Sequence, residues 1–177
     1  MDGPKQEALW VLRAQCGDRE ALELLLRNVQ PDVRRYLRGL VGAADADDVL
    51  QEVLVLVFRK LKWLEFPELF RPWAFRIASR AGFRHLTIER RQPFHDEAVL
   101  ETMPAPEARP PDDVLRLLED DAAISPASRA VLLLHFEEDM SLPDVAAVLD
   151  LPLGTVKSRL AYGLTTLRKH LEKKGVS

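Results

Sequence analysis

The sequence predicts an all-α protein made of two small helical domains joined by a flexible acidic linker. Three observations carry this. Apolar residues recur at helical spacing through most of the 177 residues, 47% of which are hydrophobic. Strand-like alternation bounded by turn signals is absent. Five of the 12 prolines, Pro93, Pro104, Pro106, Pro110 and Pro111, gather in one stretch, where Met103 to Pro111 can hardly be helical. The boundaries fall at about 1–92, 93–112 and 113–177.

Each element has its own reason. Gln6 to Gln15 reads as a helix ended by Cys16-Gly17. Asp18 caps a second over Arg19 to Asn28, with Ala21, Leu22, Leu25 and Leu26 facing inward. Pro31 opens a third, which carries Val33, Tyr36, Leu37 and Leu40 and stops before Gly42. A longer helix starts near Asp45, with Val49, Leu50, Val53, Leu56, Val57 and Leu61 toward a core. Asp47, Asp48, Gln51 and Glu52 gather at its exposed N-terminal end. Acids there favour the helix dipole by roughly 0.3–1 kcal/mol each, so stability alone accounts for them.

After a loop from Leu64 to Phe70, a helix over Pro72 to Ile88 turns Trp73, Ile77, Ala81 and Leu86 inward. Arg76, Arg80, Arg84 and His85 project elsewhere. An exposed basic helix beside an aromatic loop suits single-stranded or partly melted nucleic acid, because cations hold phosphates while rings stack on bases. Phe66 fits either that role or the core; Trp73 fits the core.

Beyond the linker, Val114 to Ile124 is a first helix, and Ser125 caps a second with Pro126 at its first position. Ser141 to Leu160 then reads as a helix-turn-helix. Leu142, Val145, Ala146 and Leu149 make a short apolar face behind the Ser141 cap. Asp150-Leu151-Pro152 breaks that helix, since Pro152 disfavours a helical Leu151. The next helix, from near Leu153, has a stripe of Val156, Leu160, Leu164, Leu167 and Leu171. Its other face carries Thr155, Ser158, Tyr162, Thr165 and Lys169, flanked by Lys157, Arg159 and Arg168. These donors and cations suit base edges and phosphates, as a recognition helix requires.

The net charge of −3 hides a strong separation. Arg71 to Arg91 holds six cations against one acid, and Gly154 to Lys174 holds the same. Between them, Gln92 to Ala123 holds nine acids against two arginines. Two basic patches around an acidic connector suit a protein that touches DNA at two separated places. His85, His95, His135 and His170 are too scattered for a metal cluster, and no Gly-rich phosphate loop occurs, so no enzyme activity, metal or cofactor is expected. Cys16, the only cysteine, excludes an internal disulfide and is expected to pack as a small apolar residue. Met1 to Glu7 lacks the features of a secretory signal. No apolar run approaches the roughly 20 residues that span a bilayer. A cytoplasmic protein without membrane insertion is expected.

Taken together, the chain resembles the extracytoplasmic-function (ECF) group of bacterial sigma factors, within the sigma-70 family. The likeness rests on Gly17 to Leu22, Tyr36-Leu37-Arg38, Asp45 to Val53, Phe70 to Ala78 and Leu153 to Leu160, in that order along nearly the whole chain. It implies that the first domain is a sigma region 2 bundle and the last a sigma region 4 helix-turn-helix. It implies that Asp47, Asp48, Gln51 and Glu52 bind the clamp of bacterial core RNA polymerase. Phe66 and its loop, with Arg76, Arg80 and Arg84, would engage and help open the downstream promoter element. Thr155, Lys157, Ser158, Arg159 and Tyr162 would contact promoter DNA at the upstream element, and a cognate anti-sigma factor is a further implied partner.

The chain departs from the family's pattern at Ser79-Arg80, at Arg84, in the loop Glu65-Phe66-Pro67-Glu68-Leu69, after Leu160, and at Thr87-Ile88-Glu89, which interrupts the basic run before Arg90-Arg91. The altered loop and the broken basic run motivate a second reading, a sigma-like decoy that occupies polymerase or an anti-sigma factor without initiating. A polymerase-independent helix-turn-helix regulator is a third. The clamp-like helix argues against that one.

Overall fold

The computed structural model describes residues 3–90 and 124–174, and both stretches are helices joined by short turns. Helix α1 spans Pro4–Gln15, α2 Arg19–Val41, α3 Ala46–Lys60 and α4 Phe70–Arg90. Two single 3₁₀ turns, Leu61–Trp63 and Pro67–Leu69, link α3 to α4. The C-terminal stretch holds α5 (Pro126–Leu132), a π-helical turn (Leu133–Glu137), α6 (Leu142–Leu149) and α7 (Leu153–Lys174). No strand occurs among the described residues. The expected linker and most of the helix expected from Val114 lie outside them.

Capping chemistry sets several starts as the sequence implies. The Asp18 side chain accepts from the Ala21 amide at 3.1 Å, and Ser125 and Ser141 accept from the Ser128 and Asp144 amides. One expectation fails at Pro31. Two helices were expected around it, yet α2 runs unbroken through it. A proline in a helix interior costs about 3 kcal/mol, because it removes an N–H and crowds the preceding turn. Here the residues to either side outweigh that cost. Val29, Val33, Tyr36, Leu37 and Leu40 are all buried along one face, and each buried side chain of this size stabilises by about 1.5–3 kcal/mol.

Around α2, the N-terminal core gathers Leu25, Leu37 and Leu40 with Phe70 and Phe75, all fully buried. Tyr36 meets Phe75 edge to face, with ring centroids 5.5 Å apart. The Ser79 hydroxyl donates to the Phe75 carbonyl at 2.8 Å, which leaves the Tyr36 hydroxyl to donate to Ser79 Oγ at 2.7 Å. Burial pushes the Tyr36 phenol well above its ordinary value, so it stays neutral. Trp73, expected as core, is only partly buried; the fully buried rings of this helix are Phe70 and Phe75. Cys16 is exposed rather than packed, because it sits at the C-cap of α1 where the chain turns into Gly17.

The same core continues into the C-terminal helices. Leu133 seats over Gly39 of α2, where an added Cβ would come within 2.7 Å of its methyl group and force that side chain to shift. Helix α6 lies against α4. Arg35 of α2 reaches across to Glu138, with its Nη2 at 2.7 Å from Oε1, and also meets Asp32 at 3.2 Å and Glu137 at 3.8 Å. Burial alone would lower the Arg35 pKa, but Glu138, Asp32 and Glu137 together outweigh it and hold the guanidinium above its ordinary value.

Candidate polymerase and nucleic-acid interfaces

The alternation of α3 separates two faces cleanly. Val49, Leu50, Val53 and Val57 are buried, while Asp47, Asp48, Gln51 and Glu52 are all exposed. Asp47 is held by Arg34 in a bidentate pair, with both N···O distances 2.7 Å. The Arg34 hydrogen bonds keep its carboxyl below the usual carboxylate range. Further along the exposed side of the helix stand Val55 and Phe58.

The loop between α3 and α4 exposes three large apolar side chains, Trp63, Phe66 and Leu69. Phe66, for which the sequence left two roles open, is 56% exposed and therefore not core. Phe70, one residue beyond the 3₁₀ turn, takes the core position instead. Trp63 was missed by sequence reasoning. It is 66% exposed, with the Lys62 ammonium 4.2 Å above its ring. A tryptophan in a short linker, off any helical stripe, is the signal that could have found it.

On α4, Arg76 is partly exposed, and Arg80 and Arg84 are exposed. Each meets a carboxylate. Arg76 and Arg80 lie 3.5 and 3.8 Å from the two carboxylate oxygens of Asp150, and Arg84 pairs with Glu52. The last pair ties the basic helix to the acidic face of α3. Arg71, counted with the basic patch, is instead used inside the fold. Its Nε donates to Glu7 at 2.8 Å and its Nη1 to Asp32 at 2.7 Å, joining α1, α2 and α4.

In the helix-turn-helix, Asp150 forms the turn in the left-handed region, at φ 60°, and the Leu151 amide bonds back to Ala146 at 3.0 Å. Helix α7 starts at Leu153, with the Val156 amide on the Pro152 carbonyl. Val156, Leu160, Leu164 and Leu167 are buried, as their spacing implies. Lys157 is exposed and Thr155, Ser158 and Tyr162 are partly exposed, so these four share the accessible side. Arg159 is different. It is only 7% exposed, because it stands one helical turn from Val156 and Gly163 on the packed flank. The face offered to DNA is therefore narrower than the residue pattern suggested.

A buried carboxylate sits beside this assembly. Burial pushes the Glu138 carboxyl up to about 7, with Arg35 opposing the shift and Asp32 and Glu137 adding to it. A value raised in the folded state means that the carboxyl contributes stability that is complete below its unfolded value of 4.5 and is lost as pH rises through about 7. The free energy of unfolding should therefore fall by on the order of 2 kcal/mol between pH 5 and pH 8. Glu138→Gln should flatten that slope. Urea titrations of both proteins across this range would check it, and parallel slopes would refute the assignment.

The fold and its charged faces define a helical DNA-binding protein of the helix-turn-helix class. Residues 25–92 match the sigma-70 region 2 model, and residues 122–169 match sigma-70 region 4. The ECF RNA polymerase sigma-E factor of Haemophilus influenzae is 27% identical over 164 residues, covering 85% of this chain and 87% of the relative. The RNA polymerase sigma-H factor of Pseudomonas aeruginosa is 28% identical over 183 residues, covering 95% of each. Among solved structures, CnrH in complex with the cytosolic domain of CnrY shares the fold, with a TM-score of 0.70 at 20% identity over 95% of this chain and 98% of that one.

The chain belongs to the sigma-70 family of RNA polymerase sigma factors, in its ECF group. Such proteins bind core RNA polymerase and promoter DNA to begin transcription, and they are not enzymes. Among the described residues, no helix is long and apolar enough to cross a membrane.

Proposed function

We propose that this sigma factor divides its work among three surfaces. The exposed side of α3, with Asp47, Asp48, Gln51 and Glu52, docks on the polymerase clamp. Phe66 and the loop around it, with Arg76, Arg80 and Arg84, take the downstream promoter element as it opens. Thr155, Lys157, Ser158 and Tyr162 read the upstream element. Arg159 joins them only if its flank unpacks. Residues 1–92 form the polymerase-binding and promoter-opening domain and 113–177 the upstream-reading domain, with the acidic 93–112 between them. The protein works in the cytoplasm, and a cognate anti-sigma factor is a further partner; CnrH, of like fold, is seen bound to the cytosolic domain of CnrY.

The observation that carries this reading is the exposure of four polar residues along α3 whose intervening neighbours are all buried. Among the described residues, Asp47 and Glu52 of the four have ion pairs, which leaves Asp48 and Gln51 available to a partner. The exposure of Phe66 adds to it, since a half-exposed ring costs solvation that stacking on a base recovers.

The test is reconstituted transcription with purified protein, bacterial core polymerase and a library of promoter fragments from its own genome. Defined transcripts that need this protein would support the reading. Firm binding to core polymerase without any transcript would replace it with the decoy.

A further inference from the structure

A side chain of α1 reaches into the loop between α3 and α4. The Gln15 amide nitrogen donates to the Leu61 carbonyl at 2.9 Å and to the Leu64 carbonyl at 2.8 Å. A side-chain amide has two N–H donors, and both are used here. The two carbonyls bracket the first 3₁₀ turn, which also closes on itself through the Leu64 amide on the Leu61 carbonyl at 3.1 Å. Leu61 is buried beneath that turn, while Lys62 and Trp63 form its exposed outer corner. The second turn, Pro67–Leu69, rests on α1 as well.

That corner presents a ring and a cation together, with the Lys62 ammonium 4.2 Å from the Trp63 ring centroid. A ring for a base beside a cation for a phosphate is the pairing by which proteins hold single strands. Phe66 stands exposed three residues on. A polymerase contact is the competing use of the indole. A surface that accepts the acids of α3 must be basic, however, and that disfavours Lys62 at the same contact.

We propose that Trp63 is a second stacking ring for the melted promoter strand, beside Phe66, and that Gln15 is the positioning residue that sets its turn. This rests on the reading of the loop as the element that takes the downstream promoter as it opens. Gln15 acts before DNA arrives. A turn already fixed spares the ordering cost that a free loop would incur on binding, so stacking shows undiminished in affinity.

The test uses holoenzyme assembled from the full chain and bacterial core polymerase. The probe is a forked fragment with a single-stranded downstream element, taken from a promoter recovered by reconstituted transcription. Trp63→Ala should weaken binding to the fork about 5- to 100-fold, as loss of one base stack does, and Trp63→Phe should recover most of it. Gln15→Leu, which keeps bulk without a donor, should weaken it about three- to tenfold. Affinity for core polymerase should stay the same in all three. In the double variant, Gln15→Leu should add little to Trp63→Ala, because it acts through that ring. An abasic site at the stacked position should erase the difference between Trp63→Ala and the unsubstituted protein.

Unchanged fork affinity in Trp63→Ala would overturn the stacking role, as would a penalty that no abasic position erases. A loss of core-polymerase affinity instead would make Trp63 a docking residue. Additive losses in the double variant would reduce Gln15 to a support of the fold. Failure of the underlying reading looks different: Phe66→Ala then leaves fork affinity unchanged too.

Discussion

Replacing Asp48 and Gln51 together by alanine is expected to lower transcription from a responsive promoter by about 10- to 100-fold, with folding unaffected. Both side chains are exposed on α3, and among the described residues neither takes part in an ion pair or side-chain hydrogen bond that would be lost from the fold. Truncating residues central to an interface typically costs about 1–2 kcal/mol each or more, and two of them give this range. The deficit should lie in polymerase affinity, so raising the sigma factor concentration should restore much of the signal. Affinity for isolated promoter DNA should stay the same. Unchanged transcription would place the clamp contact elsewhere, for which the continuing exposed positions Val55 and Phe58 are the next candidates.

The second large effect is on stability. Phe75→Ala should cost about 3–5 kcal/mol, the usual range for removing a fully buried aromatic ring. For a chain of this size that corresponds to a melting temperature lower by about 6–20 °C. The ring does more than fill volume. It packs edge to face on Tyr36, and its own carbonyl receives the Ser79 hydroxyl that in turn accepts from Tyr36. Loss of the ring loosens α4 against α2, and α4 carries Arg76, Arg80 and Arg84. Promoter output should therefore fall before the protein unfolds globally. A thermal melt within 2 °C of the unsubstituted protein, by contrast, would mean that the core around Tyr36 repacks freely (the change is then smaller than the roughly 1 kcal/mol that such a shift reports).

Local chemistry made much of this molecule legible. The caps at Asp18, Ser125 and Ser141, the stop at Asp150 and the stripe from Val156 to Leu167 all depend on residues a few positions apart. The same holds for the acidic side of α3, whose exposure follows from a period of 3.6. Pro31 shows where such reasoning stops. The local preference for a break is real, but a continuous buried face from Val29 to Leu40 outweighs it. Phe66 and Phe70 could not be ranked from composition, since two rings four residues apart differ only in which one the fold turns inward.

By itself, the sequence determined the helical class, the two charge-bearing helices, the helix-turn-helix and the family. Each of those is written in spacing along one helix or in the order of motifs. Tertiary structure alone decided that Arg71 is an internal clamp, that Arg159 lies on a packed flank, and that Asp150 faces Arg76 and Arg80. Those pairings join residues 64 to 74 positions apart in the clearest cases, Glu7 with Arg71 and Arg76 with Asp150. Charge acts through distance in space, which spacing along the chain does not encode once the chain has folded back on itself.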